Sequence, residues 1–268
     1  MADEHNPPVV LSVAGFDPGS GAGVTADIKT AVANNCFGIS CITAITVQST
    51  QGVKAVEALR PELVEDTLKA LTSDFNIAAV KIGMMGSAGV ATTVADWLEG
   101  RMAPNIKVLD PILFASSGVD LAGEGSLAVL RERLLGLTTL ITPNVKEAET
   151  LSGVEIRNQK SAIEAGQRLR DSGAKNVVIT GGDLPDNADL LLLESGEVIW
   201  IPGEKIESPS VHGTGCAFST AIACNLALGH ELPEAVRLAK DYVRNAILTA
   251  APLGLGRHKP MNLQIKPK

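Results

Sequence analysis

Short apolar runs alternate with amphipathic runs along nearly the whole chain, and no other feature narrows the fold as much. Residues 9–15, 38–47, 78–82, 106–110, 138–142 and 176–180 read as buried strands rich in Val, Ile and Leu. Between them, 22–35, 61–74, 87–101, 126–135, 143–151 and 161–172 carry helical spacing, and Pro61 falls in a first helical turn. A hairpin about Ser195-Gly196 joins 190–193 to 198–201, residues 53–59 read as an edge strand or flap, the stretch 211–229 reads as a glycine turn feeding a buried helix, and a helix over 232–251 follows. Strand and helix in such alternation predict an α/β fold: a doubly wound, mostly parallel central sheet with helices on both faces and right-handed crossovers. Aromatics are only 3% of residues against 45% hydrophobic overall, so aliphatic side chains must fill the core, as helix-covered parallel sheets require. No linker interrupts the pattern, and residues 1–268 are expected to form one domain with 1–8 flexible.

Charge and cysteine usage exclude several classes of function. The net charge is -7 and no Lys/Arg cluster occurs, which argues against a nucleic-acid or anionic-membrane surface and for a small-molecule partner. The polar N-terminus lacks the features of a secretory signal, and no apolar run approaches the roughly 18 residues of a membrane span, so a cytoplasmic location is the expectation. The 4 cysteines contain no Cys-x-x-Cys pair and the 4 histidines lie far apart, which signals neither a disulfide framework nor a zinc site.

Candidate functional residues fall repeatedly at strand ends and in the loops after them, the rim where open α/β sheets bind ligands. The first strand runs into Phe16-Asp-Pro-Gly-Ser-Gly-Ala-Gly23, a glycine loop entering a helix and bracketed by Asp17 and Asp27; it is neither a Walker loop nor a Gly-x-Gly-x-x-Gly turn. Gln48 lies just past the second strand, where a carboxamide can read a heterocycle edge with a donor and an acceptor. Met84 follows the third strand and suits an apolar pocket wall. Asp110 stands before Pro111 at the rim, placed either to hold Mg²⁺ or a water bound to it or to cap the Pro111-Ile112 turn. Asn144 and Glu147 share a face near a helix start, where they form an ordinary capping pair or organise metal and phosphate. Loop signals at 116–118 and 123–125 lie between. Last, His212-Gly-Thr-Gly-Cys216 is a glycine turn feeding a helix N-terminus, a place that favours an anion, with Cys216 in the first turn.

Together these motifs resemble the ribokinase-like superfamily, and within it the hydroxymethylpyrimidine/phosphomethylpyrimidine kinase family of thiamine biosynthesis. The resemblance runs from about Val9 to Met261 and rests on Ala14–Thr30, Val47-Gln48, Thr50–Val53, Lys81–Met84, Val108–Pro111, Ile141–Glu147 and His212–Cys216. It implies transfer of the ATP γ-phosphoryl group to 4-amino-5-hydroxymethyl-2-methylpyrimidine and then to its monophosphate, with Mg²⁺ required. Carried over by position, Gln48 reads the pyrimidine edge, Ile112 pairs another edge, and Gly15, Ala22 and Met84 wall the ring. Asp27 lies toward the polar substrate end, Asp110 and Glu147 organise metal, and Asn144, Thr180 and Gly182 face nucleotide phosphate. Gly213, Thr214 and Gly215 form an anion hole, and Cys216 is the base, its thiol activated by the helix N-terminus. A homodimer is implied as well.

The chain departs from the family where Thr180-Gly-Gly182 replaces a common Lys-Gly-Gly, and Arg257 or Lys259 is expected to supply the compensating charge. Two other readings stay open: a pyridoxine/pyridoxal kinase on the same scaffold, and a non-catalytic pyrimidine-binding protein.

Overall fold

The computed structural model describes residues 6–114, 121–123, 125–184 and 187–265. Residues 1–5, the loop signal at 116–118 and Glu124 lie outside them. Among the described residues, nine strands form one sheet in the order β3-β2-β1-β4-β5-β6-β7-β8-β9. They are β1 (Val9–Phe16), β2 (Phe37–Ser49), β3 (Gly52–Ala58), β4 (Ile77–Ile82), β5 (Ile106–Leu109), β6 (Leu140–Ile141), β7 (Asn176–Ile179), β8 (Asp189–Leu192) and β9 (Val198–Ile201). The central pairs from β2 through β1, β4, β5 and β6 to β7 are parallel. β3 is an antiparallel edge strand on β2, and the β8–β9 hairpin extends the other edge.

Helices cover both faces, as the alternation predicts. On one face α1 (Gly23–Ala33), α8 (Thr214–Ala227) and α9 (Leu232–Leu248) enclose a core of Val10, Ala26, Val108, Ile222 and Tyr242. On the other, α2 (Pro61–Asp74), α3 (Ala88–Glu99), α4 (Ser126–Val129), α5 (Leu135–Leu137), α6 (Val145–Ser152) and α7 (Gln159–Asp171) pack on Leu11, Val80, Leu109 and Ile179. The predicted helix over 126–135 extends to Leu137 and is wound as a π-turn over Leu130–Leu134, which keeps Leu130, Leu134 and Leu135 all buried. Small side chains on α8, among them Ala217, Ala221 and Ala223, are fully buried and let this helix lie close under the sheet.

The strand order reverses about β1, whose neighbours are β2 on one side and β4 on the other. Such a switch point opens a crevice beyond the carboxyl ends of the strands. The segments that follow β1 and β4 carry the glycine loop and Met84, so the topology alone places the candidate residues at that crevice.

Candidate active site

A cleft of about 1180 Å³ opens along this rim. Every residue proposed above for the site lines it except Asp27, Arg257 and Lys259. At its floor two helix starts meet. α8 begins after Gly213, which holds a left-handed φ of 80° and approaches the carbonyl of Gly21 so closely that a Cβ would collide with it. The amides that open α8, at Thr214, Gly215 and Cys216, have no earlier helical carbonyl to bond, which makes this turn an anion-binding surface. α1 begins at Gly23, also with positive φ and against the Gly15 carbonyl, and its amide donates toward Cys216.

Asp27 is a correction. It faces away from the cleft, 1% exposed on α1, where it accepts hydrogen bonds from Ser12 Oγ (2.5 Å), Thr220 Oγ1 (2.8 Å) and Lys81 Nζ (3.0 Å). Four residues past the helix start, the helical turn has carried the side chain inward beneath the sheet. Lys81, fully buried, reaches on to Asp110 at 4.0 Å. Burial alone would lower the lysine pKa, but Asp27, Cys216 and Asp110 together raise it, so the ammonium stays charged beneath the site. Removing one partner of a buried pair of this kind costs about 3–5 kcal/mol. A lysine inside the apolar run Ala78–Ile82 was the sequence signal for such a partner.

The metal candidates sit close to one another. Asp110 accepts from Ser219 Oγ (3.3 Å), and burial raises its pKa to about 6 against the pull of Lys81. Glu147 and Asn144 form a capping box on α6: Glu147 Oε2 accepts from the Asn144 amide (3.0 Å) and Asn144 Oδ1 from the Glu147 amide (2.9 Å). Burial first, and repulsion by Asp110 second, push the Glu147 carboxyl up to about 8. Two buried carboxylates that repel each other suit a divalent cation, and Mg²⁺ typically takes one or two carboxylates together with substrate phosphate.

Cys216 needs a second correction. A helix N-terminus was expected to lower its pKa, but burial dominates and pushes the thiol up to about 12 despite Lys81 nearby. The resting side chain is therefore a thiol.

Above the glycine loop lies a network that sequence spacing does not reveal. The Asp17 carboxylate accepts from the amides of Gly19 (2.8 Å), Gly21 (3.1 Å) and Ala22 (3.0 Å) and pairs with His212 Nε2 (3.0 Å). Burial would raise its pKa, but these donors, His212 foremost, lower it on balance. Gln48 meets the same His212 nitrogen at 2.9 Å. Met84 closes on Gly15, where a Cβ would strike it, and together they form an apolar slot beside Gln48.

The end of the cleft around Thr180 is built differently. Thr180 and Gly182 line it together with Lys146, Lys205, Lys240 and Arg244; Arg257 and Lys259 are not part of the lining. The expected compensation by the C-terminal segment is thus corrected, because that segment instead wraps Thr50: the Gly256 amide donates to Thr50 Oγ1 (3.0 Å) and the His258 amide to the Thr50 carbonyl (3.0 Å).

Residues 17–262 match the phosphomethylpyrimidine kinase family. The chain belongs to that family. It is 39% identical over 259 residues to the hydroxymethylpyrimidine/phosphomethylpyrimidine kinase of Haemophilus influenzae, covering 94% of this chain and 95% of that one. It is 42% identical over 255 residues to a thiamine biosynthesis bifunctional protein of Geobacter sulfurreducens, again over 94% of this chain but spanning only 51% of that relative, about half its length. Among solved structures, the phosphomethylpyrimidine kinase of Clostridium difficile aligns with a TM-score of 0.80 at 35% identity, over 90% of this chain and 99% of that one. The pyridoxal kinase of Staphylococcus aureus in complex with AMP-PCP and pyridoxal aligns at 0.85 and 27% identity, over 96% and 94%. The phosphomethylpyrimidine kinase family thus shares its ribokinase-like fold with pyridoxal kinases, and its relatives are phosphotransferases.

Proposed function

We propose that this chain transfers the γ-phosphoryl group of ATP to the hydroxymethyl oxygen of 4-amino-5-hydroxymethyl-2-methylpyrimidine, and then phosphorylates the monophosphate, in thiamine biosynthesis. The observation that carries the reading is the meeting, in one cleft, of the bare α8 amides and Cys216 with a carboxamide-edged apolar slot. In this reading the flat ring lies among Gly15, Ala22, Met84 and Ile112, all of which line the cleft, with Gln48 on its edge and the hydroxymethyl arm toward Cys216.

The amides of Thr214 and Gly215, at the turn that Gly213 makes, face the place where charge develops on the phosphoryl group in flight, so they stabilise the transition state more than the ground state. Asn144, Thr180 and Gly182 line the side that receives the nucleotide. Asp110 and Glu147 are the residues that would hold Mg²⁺, whose chemistry is to neutralise phosphate charge. Cys216 accepts the hydroxyl proton as the O–P bond forms. Because its resting form is a thiol, the reactive thiolate is a small population that the Lys81 ammonium favours and that grows with pH. Phosphoryl transfer is loose enough that positioning outweighs the base. Exposed Ile45 and Val47 on β2, beside the edge strand, support the implied homodimer.

Pyridoxal phosphorylation is the second reading, favoured by the alignment with the S. aureus enzyme bound to pyridoxal. Steady-state rates of purified protein with Mg-ATP and each alcohol separate the two. The aminopyrimidine alcohol is expected to have the higher kcat/KM; ATP turnover with neither alcohol would leave only a binding role.

A further inference from the structure

Asp17, His212, Gln48 and Thr46 form a connected set in which only one assignment of protons satisfies every group. Asp17 Oδ1 and Oδ2 already accept three loop amides, so the carboxylate acts purely as an acceptor. His212 Nε2, 3.0 Å from Oδ2, must therefore carry its proton toward Asp17. The Gln48 amide contacts that same nitrogen at 2.9 Å, and a second N–H pointed at an N–H would repel. Since the two ends of a carboxamide are isosteric, the oxygen is the end that belongs beside His212, where it shares the single Nε2 proton with Asp17 Oδ2. The NH₂ end then lies 3.2 Å from Thr46 Oγ1, whose own proton goes to the Phe16 carbonyl at 3.0 Å. Thr46 accepts from Gln48 and donates to Phe16, and no donor or acceptor in the set is left opposed.

We infer that the Asp17–His212 pair, with Thr46 on the opposite side, fixes the polarity of the Gln48 amide and so makes this site selective for an amino–aza edge over the reversed oxo–NH edge. This rests on the pyrimidine reading above. A free carboxamide can rotate by half a turn and pair with either edge; a locked one offers its oxygen on the His212 side and its NH₂ on the Thr46 side only. The oxygen accepts from an exocyclic amino group and the NH₂ donates to the adjacent ring nitrogen. A ring bearing an oxo group beside a ring N–H opposes acceptor to acceptor and donor to donor, and a polar mismatch of this kind is rejected far more strongly than a missing methylene. His212 is thus a positioning residue for specificity, acting through Gln48. Gly21 belongs to the same arrangement, because a side chain there would occupy the place of the His212 ring.

The test compares kcat/KM for the 4-amino alcohol with that for its 4-oxo counterpart, using Mg-ATP and the full chain. The wild-type protein is expected to prefer the amino substrate strongly. His212→Met, which removes the donor, should reduce that preference at least tenfold, mainly through the two KM values and with kcat nearly unchanged. His212→Gln, which can place an amide N–H where the imidazole had one, should restore most of it. Thr46→Val loosens the other end and should give a smaller loss of preference, a result that stands even if the methionine variant folds poorly. An unchanged preference in His212→Met and Thr46→Val would overturn the inference. Failure of the wild-type protein to phosphorylate either alcohol would instead overturn the functional reading on which the inference rests.

Discussion

The two ends of the cleft are built on opposite plans. At the end proposed for the pyrimidine, Asp17, Thr46, Gln48 and His212 come from β1 and its loop, from β2 and from the turn before α8, and each is tied by hydrogen bonds of 2.8–3.2 Å. At the end proposed for the nucleotide, two of the lining cations are engaged by carboxylates, Lys240 by Asp189 at 2.9 Å and Arg244 by Glu204 at 3.0 Å, while Lys146 lies over the Phe114 ring at 4.6 Å. One end is a fixed template, held by a network of buried and half-buried polar groups. The other, apart from Lys240, which is also bonded to the Ile201 carbonyl, presents the exposed long side chains of Lys146, Lys205 and Arg244, which can rearrange around phosphate. Specificity is therefore expected to reside in the first and adjustable affinity in the second.

The largest effect should come at the floor that both ends share. Gly213→Ala forces a side chain into a left-handed turn and against the Gly21 carbonyl, displacing the amides that open α8. Turnover should fall about 10²–10³-fold, the loss typical of a missing oxyanion donor. A fall in ATP affinity alone, without loss of kcat, would detach the turn from catalysis. Cys216→Ala should lower kcat at least tenfold with the pyrimidine KM nearly unchanged, as removal of a general base does. With the thiol pushed up to about 12, log kcat of the unmodified protein should climb between pH 7 and 9, and the alanine variant should lose that slope. A flat profile would leave Cys216 as a group that only orients the hydroxyl.

Changes confined to the nucleotide end should be gentler. Thr180→Lys restores the cation common in the family and should lower the KM for ATP about twofold to fivefold, the worth of one partly exposed charge contact, leaving the pyrimidine KM alone. Replacing Arg257 and Lys259 together should not alter the KM for ATP, since neither lines the cleft. The smallest effect concerns stability. Asp110 and Glu147 have folded pKa values raised to about 6 and about 8, so the stability that goes with their protonated forms is full in acid and is lost as pH rises through those values. The melting temperature of the ligand-free protein should fall between pH 5 and 8, by about 2–4 °C for each kcal/mol lost, and added Mg²⁺ should recover part of it. A melting temperature that rises over this range would contradict the repulsion between these carboxylates.

Much of this was legible before any coordinates. The strand and helix alternation, the rim positions and the glycine turn of Gly213 are local properties, because periodicity and positive φ act through the backbone. Asn144 and Glu147 were recognisable as a capping box for the same reason. Asp27 was misplaced because helical spacing does not say which way a side chain turns once the helix docks; only the position of Lys81 decides it. The Cys216 thiol was misjudged because its burial is tertiary, set by α1, β4 and β5 closing around it. The pairing of His212 with Asp17, 195 residues apart, leaves no spacing to detect. Sequence alone points to Arg257 or Lys259 for charge near Thr180, whereas the fold supplies it from α9 and the loop before α8.

A competition in one vessel tests the central claim most directly. Purified protein receives Mg-ATP with equal concentrations of 4-amino-5-hydroxymethyl-2-methylpyrimidine and pyridoxal, and the two phosphorylated products are quantified at early times. The expected result is a predominance of the pyrimidine phosphate, followed by its diphosphate. Pyridoxal phosphate in tenfold or greater excess would contradict the account.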